Sequence, residues 1–120
     1  MCGLNAILTQ NSQEHHLYYL KEMHKGLYHR GPDDEGFLSW NQYDDLKQST
    51  NFENLSTGQV LLSHRRLSIL DVTSRAIQPM LNKHRTLAII FNGEIYNFLE
   101  IRKELETLGH SFITSSDTEV

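Results

Sequence analysis

The chain has 120 residues, of which 38% are hydrophobic and 22% charged, and its net charge is −4. This length predicts one small domain or part of a larger one. The acidic balance argues against nucleic-acid binding, which needs a clustered basic surface. No run approaches the ~20 apolar residues of a membrane span, and we expect no secretory signal. A single cysteine cannot form an internal disulfide, so we expect a reducing, cytoplasmic location.

The first half of the chain combines predicted strands with one helix. Short apolar or alternating runs predict strands over 2–9, 36–40 and 59–64. Asn11-Ser12 offers an N-cap for a helix that ends before residue 29. Its predicted buried face consists of apolar residues and one histidine at helical spacing: Leu17, Leu20, Met23, His24 and Leu27. The polar segment 41–58 shows no period, so we predict a long loop there and leave its role open.

The second half contains the strongest strand signal. The nearly all-apolar run 86–91 predicts a central strand buried on both faces, and 67–72 predicts a short extended piece. A second amphipathic helix follows, with Gly109 as its C′ residue and a face formed by Phe98, Ile101, Leu105 and Leu108. Residues 110–114 predict another strand. Ser116-x-x-Glu119 is a capping-box pattern that predicts the start of a further helix.

Cys2 is the candidate nucleophile. If Met1 is removed, which a small second residue permits, Cys2 carries both a thiol and a free α-amine. These groups titrate near ~8.5 and ~7.7–8.0, so the amine can take the thiol proton without a partner histidine. The alternative is an inert cysteine at a frayed terminus, because most lone cysteines are structural.

Asn92-Gly93 has two interpretations. After a strand, this dipeptide is a strong signal for a two-residue hairpin turn. The segment that follows has a helical period, however, so the second strand of a hairpin is missing. A side-chain amide N–H beside a glycine N–H is also suited to an oxyanion hole. The residues alone leave both interpretations open.

Two charged residues have functional and structural interpretations. An arginine of the Arg65-Arg66 pair is suited to binding a carboxylate, although a solvated surface pair is the more common interpretation of such a dipeptide. Asp117 is simply favoured in the first turn of a helix. The seven histidines form no HExxH motif and the lone cysteine excludes CxxC, so we expect no metal site. No phosphate-binding glycine loop occurs either.

Six motifs appear in order along the chain, and together they are more specific than any one of them. They are Met1-Cys2-Gly3, His29-Arg30-Gly31-Pro32-Asp33, His64-Arg65-Arg66-Leu67-Ser68-Ile69, Gln78-Pro79, Phe91-Asn92-Gly93-Glu94-Ile95-Tyr96-Asn97 and Ser116-Asp117-Thr118-Glu119. This series resembles the N-terminal glutaminase domain of class II glutamine amidotransferases, in the asparagine synthetase branch. The resemblance runs from Met1 to Val120. It implies an α+β fold, the N-terminal-nucleophile αββα sandwich of two antiparallel sheets between helices, here incomplete at the C-terminus.

The resemblance also implies roles for individual residues. Cys2 would attack the glutamine side-chain amide, with the Asn92 side chain and the Gly93 backbone as oxyanion donors. Arg66 would bind the substrate α-carboxylate and Asp117 its α-ammonium group. The remaining implied positions are substrate-lining, namely Ile69, Leu70 and Glu94, or supporting in the loop over the site, namely Arg30.

The implied function is hydrolysis of glutamine to glutamate and ammonia, as the ammonia-supplying half of an ATP-dependent amidotransferase. Residues 1–120 would be a glutaminase domain truncated before its C-terminal part. This domain needs no cofactor, and ATP and magnesium would belong to a synthetase domain absent from these residues. The expected partner is glutamine, with no nucleic acid and no membrane, and the resemblance allows a homodimer of the full-length parent. Two alternatives stay open: another N-terminal-nucleophile amide hydrolase, or a non-catalytic fragment that retains the pocket residues.

Overall fold

The computed structural model describes residues 1–68 and 76–120. Their strands and helices are, in chain order, β1 (Gly3–Leu8), α1 (Glu14–Gly26), β2 (Asp34–Asn41), β3 (Asp44–Ser49), β4 (Val60–Arg66), β5 (Met80–Leu81), β6 (Ala88–Ile89) and α2 (Phe98–Thr107). Short 3-10 turns occupy Tyr28–Arg30, Phe52–Asn54 and Asp117–Glu119. The α+β class with antiparallel sheets, expected from the sequence, is confirmed.

A four-stranded antiparallel sheet in the order β1-β4-β2-β3 positions most of the described chain. β4 lies in its interior, with Gly3 opposite Arg65 on one side and Asp34 opposite Arg66 on the other. Because successive side chains of a strand point to opposite faces, Arg65 and Arg66 belong to different surfaces. The predicted strands 2–9, 36–40 and 59–64 correspond to β1, β2 and β4.

Helix α1 covers one face of this sheet. Leu20 is fully buried, and the His24 ring lies 4.5 Å from the ring of Phe37 on β2. The predicted face is narrower than expected, because Met23 is 44% exposed. The predicted N-cap is also wrong: Gln13 precedes the helix without a side-chain cap bond. The buried apolar residues among those described are Leu20, Phe37, Leu38, Leu61 and Ala76.

The predicted loop over 41–58 is wrong, because this segment contains β3. The Asn41 Oδ1 atom accepts hydrogen bonds from the amides of Tyr43 at 2.8 Å and Asp44 at 2.9 Å, which reverses the chain into β3. β3 is an edge strand whose residues are half-buried or exposed. A solvated edge strand is polar and therefore lacks the apolar alternation that indicates a strand.

The prediction of a central buried strand over 86–91 is also wrong. Within the described residues the strand is limited to Ala88–Ile89, which pairs with β5, and both residues are exposed. Leu87 is 70% and Ile89 43% exposed. Apolar composition predicts the extended conformation here, but burial depends on which elements cover the strand.

The C-terminal segment differs from the sequence prediction in two places. Residues 110–114 form no strand in the described structure. Ser116 accepts a hydrogen bond from the Thr118 amide at 3.1 Å, as a cap should, but it begins a 3-10 turn. The Glu119 carboxylate accepts from the amides of Ile113 and Thr114 instead of returning to Ser116, so the capping box is only half formed.

Helix α2 is confirmed, as is its glycine end. Gly109 has a φ of 93°, a left-handed conformation that favours glycine. Its amide donates to the Glu106 carbonyl, and the His110 amide donates to the Leu105 carbonyl, which together form a Schellman motif. Most of the predicted extended piece over 67–72 falls on residues 69–72, which lie outside the described residues.

Candidate active site

A cavity of about 300 Å³ opens where β1 begins and β4 ends. The predicted site residues that line it are Cys2, Arg66, Asn92, Gly93, Glu94 and Asp117. Four separate stretches of the chain therefore contribute to one concave surface. Arg30 does not line the cavity, and Ile69 and Leu70 lie outside the described residues.

The Cys2 thiol lies at the end of β4 because β1 pairs along the whole of that strand. The Leu67 amide donates to Cys2 Sγ at 3.4 Å, and the thiol lies 3.7 Å from the Leu67 carbonyl oxygen. Cys2 is half-buried and faces the cavity. The sulfur is thus held by backbone groups at a defined position.

Arg66 is the last residue of β4 and is only 6% exposed. Its guanidinium pairs with the carboxylate of Asp34, its partner in the register, at 3.3 Å. The neighbouring acid, Asp33, donates its amide to the Arg66 carbonyl at 3.1 Å and accepts from the Ser68 amide at 2.8 Å. Two consecutive acids therefore fix the orientation of Arg66 and the path of the chain that follows it.

The segment before these acids lies directly against β4. A side chain at Gly31 would overlap the backbone that joins Arg65 to Arg66. Arg30, at the end of the preceding 3-10 turn, is half-buried outside the cavity. This location fits a supporting rather than a chemical position.

The hairpin interpretation of Asn92-Gly93 is wrong, because the next regular element is helix α2, which begins at Phe98. The residue before the pair is held at both backbone groups. The Phe91 amide donates to Gln78 Oε1 at 2.5 Å, and its carbonyl lies 3.2 Å from His64 Nε2. Among the described residues the Asn92 side chain has no hydrogen-bond partner, and it lines the cavity. The amide is thus accessible to a ligand.

Asp117 is 6% exposed and lies close to the segment that carries Asn92. Its Oδ2 accepts from the Ile95 amide at 2.9 Å, and its Oδ1 lies 3.5 Å from the Thr118 hydroxyl. The cavity therefore combines a guanidinium from Arg66 with carboxylates from Asp117 and Glu94. Charges of both signs suit a zwitterionic ligand such as a free amino acid.

His64 also lines the cavity and is 1% exposed. Burial lowers the pKa of His64 from 6.5 to about 4; the hydrogen bond to the Phe91 carbonyl opposes this shift, and the charges of Arg66 and His24 add to it. The imidazole is therefore neutral at pH 7, and its Nε2 donates to that carbonyl. Sequence reasoning missed His64 and Gln78 as site residues, although each is part of a motif that carries the resemblance.

A family model described as the glutamine amidotransferase domain matches residues 1–120. The chain belongs to this family. It is 38% identical to asparagine synthetase [glutamine-hydrolyzing] 1 of Bacillus subtilis, over 100% of this chain and 17% of that protein. It is 35% identical to putative asparagine synthetase [glutamine-hydrolyzing] 1 of Methanocaldococcus jannaschii, over 100% of this chain and 22% of that protein. For asparagine synthetase [glutamine-hydrolyzing] 1 of Arabidopsis thaliana, the identity is 37% over 100% of this chain and 17% of that protein.

This glutamine amidotransferase domain thus spans about a fifth of the length of the curated relatives it matches. Family membership supports glutamine hydrolysis that supplies ammonia. Within residues 1–68 and 76–120, no three His, Cys, Asp or Glu side chains come together as ligands for a metal ion. None of the helices described here has the length and apolar character to cross a bilayer.

Proposed function

We propose that this glutamine amidotransferase domain uses Cys2 to hydrolyse the side-chain amide of glutamine. The observation that supports this proposal most is the meeting of Cys2, Asn92-Gly93, Arg66 and Asp117 at one cavity. These stretches are far apart in sequence, and the fold brings together a nucleophile, amide donors and two opposite charges. Each is a part that amide hydrolysis of an amino acid requires.

Before the first turnover, removal of Met1 leaves the Cys2 α-amine free beside its thiol. The amine takes the thiol proton and the sulfur attacks the amide carbon of glutamine. The Asn92 side-chain N–H and the Gly93 amide donate to the oxyanion that forms. The ammonium group returns its proton to the departing nitrogen, ammonia leaves and a thioester remains. Water, deprotonated by the amine, then attacks the thioester and releases glutamate and the free thiol.

The two charged residues hold the rest of the substrate. The Arg66 guanidinium, oriented by Asp34, binds the α-carboxylate, and Asp117 binds the α-ammonium group. Glu94 lines the same cavity. The family resemblance assigns further substrate contacts to Ile69 and Leu70, which lie outside the described residues, and a supporting position to Arg30. Binding of both the α-carboxylate and the α-ammonium group places the side-chain amide at the sulfur, which lowers the entropic cost of attack.

We further propose that the ammonia serves an asparagine synthetase-like, ATP-dependent transfer in a longer protein, because the relatives carry that name. ATP and magnesium would bind a synthetase region of that longer protein. A cysteine nucleophile must stay reduced, which favours the cytoplasm. A homodimer of the full-length parent remains an expectation.

Ammonia release tests the proposal. The complete polypeptide should release ammonia from glutamine and not from asparagine or a simple aliphatic amide. Equal release from unrelated amides would favour another N-terminal-nucleophile hydrolase. Mass spectrometry should find Met1 removed. A retained Met1, together with no ammonia release, would favour the non-catalytic alternative.

A further inference from the structure

One buried amide connects the two ends of the candidate site. Gln78 is 7% exposed, and its Oε1 accepts from the Phe91 amide at 2.5 Å. Its Nε2 donates to the Thr118 hydroxyl at 3.3 Å. Phe91 immediately precedes the Asn92-Gly93 pair, and Thr118 immediately follows Asp117. We call these two hydrogen bonds the Gln78 bridge.

The bridge closes a ring with Asp117. The Thr118 hydroxyl lies 3.5 Å from Asp117 Oδ1, and Asp117 Oδ2 accepts from the Ile95 amide at 2.9 Å. The segment from Phe91 to Ile95 is therefore attached at both of its ends to the turn that carries Asp117. The oxyanion donors lie between these two attachments, and Gln78 contacts both their segment and the turn that carries Asp117.

The backbone of Gln78 is itself fixed by the sheet. A side chain at Gly36 of β2 would overlap the Gln78 carbonyl, so this loop lies directly on the strand. Gly36 pairs with His64 in the register, and His64 holds the Phe91 carbonyl. Both backbone groups of Phe91 are thus held by side chains anchored on one part of the sheet.

We propose that Gln78 is a positioning residue that orients the oxyanion donors through one hydrogen bond of the Gln78 bridge and the ammonium-binding acid through the other. The inference rests on the proposed function. The Gln78 side-chain oxygen accepts from the segment that carries Asn92-Gly93, and its side-chain nitrogen donates to the turn that carries Asp117. Removing only one of these hydrogen bonds should affect only one subsite.

Four substitutions in the complete polypeptide test the two hydrogen bonds. Gln78→Met keeps the length but loses both, so kcat should fall about ten-fold and KM should rise. Gln78→Glu keeps the acceptor for Phe91 and loses the donor, so the single Thr118 hydroxyl proton must be shared between the new carboxylate and Asp117. KM should therefore rise while kcat changes by less than about three-fold. Thr118→Val should likewise raise KM with little change in kcat, and Thr118→Ser should restore the wild-type KM.

Gln48→Met is the matched control. Gln48 lies on β3 and donates at 2.6 Å to the carbonyl of Pro79, which is on the same loop as Gln78. Gln48 does not line the active-site cavity. It reports the effect of losing a side-chain hydrogen bond from β3 to the backbone of this loop. We expect its kcat and KM to stay within about two-fold of wild type, even if its melting temperature falls.

The outcomes are distinct. If Gln78→Met changes kcat and KM no more than Gln48→Met does, or if Gln78→Glu lowers kcat as much as Gln78→Met, the inference is overturned. If Gln78→Met does not fold, the KM-against-kcat split of Gln78→Glu and Thr118→Val decides the question. If the wild-type polypeptide releases no ammonia from glutamine, or Cys2→Ala is as active as wild type, the proposed function fails and removes the inference with it.

Discussion

The single cysteine lies where a nucleophile is needed, at the end of β4 and beside the cavity. We predict that Cys2→Ala abolishes glutamine hydrolysis in the complete polypeptide and leaves the melting temperature nearly unchanged. Cys2→Ser should retain binding but lose most of the rate, because an alcohol is a far weaker nucleophile near neutral pH. An electrophilic glutamine analogue should label Cys2 alone, as peptide mass spectrometry can show. Substantial hydrolysis by the alanine variant would contradict the assignment.

Binding and chemistry should separate at the other cavity residues. Arg66→Ala or Asp117→Ala removes a charge-assisted contact of roughly 1.5–3 kcal/mol, so we expect KM to rise about ten- to a hundred-fold. Asn92→Ala should instead lower kcat by about 10²–10³, because its donor acts on the oxyanion. Steady-state kinetics on glutamine provide the measurement. The opposite pattern, with kcat falling in Arg66→Ala and only KM rising in Asn92→Ala, would reverse the roles.

His64 supplies a prediction about pH. Because burial lowers the pKa of His64 to about 4, the unfolded state takes up its proton near pH 6.5 and the folded state does not. The free energy of unfolding therefore has its full value above pH 6.5 and decreases as the pH falls toward 4. The slope from this one group is up to about 1.4 kcal/mol per pH unit. Histidine NMR of the complete polypeptide should find a resonance that titrates near pH 4. That resonance should be absent in His64→Gln, whose stability should depend less on pH in this range. A His64 pKa near 6.5 would contradict the burial described here.

The ordered motifs predicted most of the residues that line the cavity. Cys2, Arg66 and Asp117 are recognisable because each has a chemical property, and the structure places them together. His64 and Gln78 are not recognisable in this way, because their side chains hydrogen-bond to the backbone of Phe91. Such a role depends on a tertiary contact that local sequence does not contain.

Among the elements, the end of β4 depends on the glycine that lies against it. We predict that Gly31→Ala lowers both the melting temperature and kcat/KM, because its Cβ would displace the backbone at Arg65 and Arg66. Gly26→Ala is the matched control, since nothing lies within 4 Å of a Cβ at that helical position. It should be neutral or stabilising by up to about 1 kcal/mol. Thermal denaturation and glutaminase assays on both variants provide the comparison; equal effects would show that the close approach at Gly31 is unimportant.

The elements that the sequence predicted best are those with a covered face. β4 and α1 each bury an apolar residue on the covered face, Leu61 and Leu20. In β1, by contrast, the apolar Leu4 and Leu8 are exposed. β3 was missed because Leu46 is its single apolar residue, and β6 was overestimated because its residues are apolar but exposed. Periodicity thus reports burial, and it fails where composition and burial disagree.

The molecule as a whole exposes much of its apolar surface. Its dimensions are 45 × 33 × 19 Å, so the thinnest direction holds little more than a sheet and one layer of helix. On the sheet, Leu8 is 75% and Trp40 40% exposed, and beyond it Leu87, Leu99 and Ile113 are 57–71% exposed. The sandwich expected from the family resemblance requires further layers that cover such apolar surfaces. The number of elements predicted from the sequence does not show which of these surfaces are exposed.

We therefore predict that residues 1–120 alone self-associate and hydrolyse glutamine weakly or not at all. β1 and β6 are edge strands with exposed apolar side chains, which favours pairing between copies. A chain extended through the full family domain should be monodisperse and active, as size-exclusion chromatography, near-UV circular dichroism and ammonia release can establish.

A substitution on the exposed surface sharpens this test. Leu87→Ser, beside the edge strand β6, should reduce self-association of the 120-residue chain. Tyr43→Ser should not, because Tyr43 is 85% exposed at the isolated turn between β2 and β3. If exposed apolar surface at β6 drives self-association, Leu87→Ser must reduce it more than Tyr43→Ser does. A 120-residue chain that is monomeric, melts cooperatively and is fully active would show that these surfaces need no further covering.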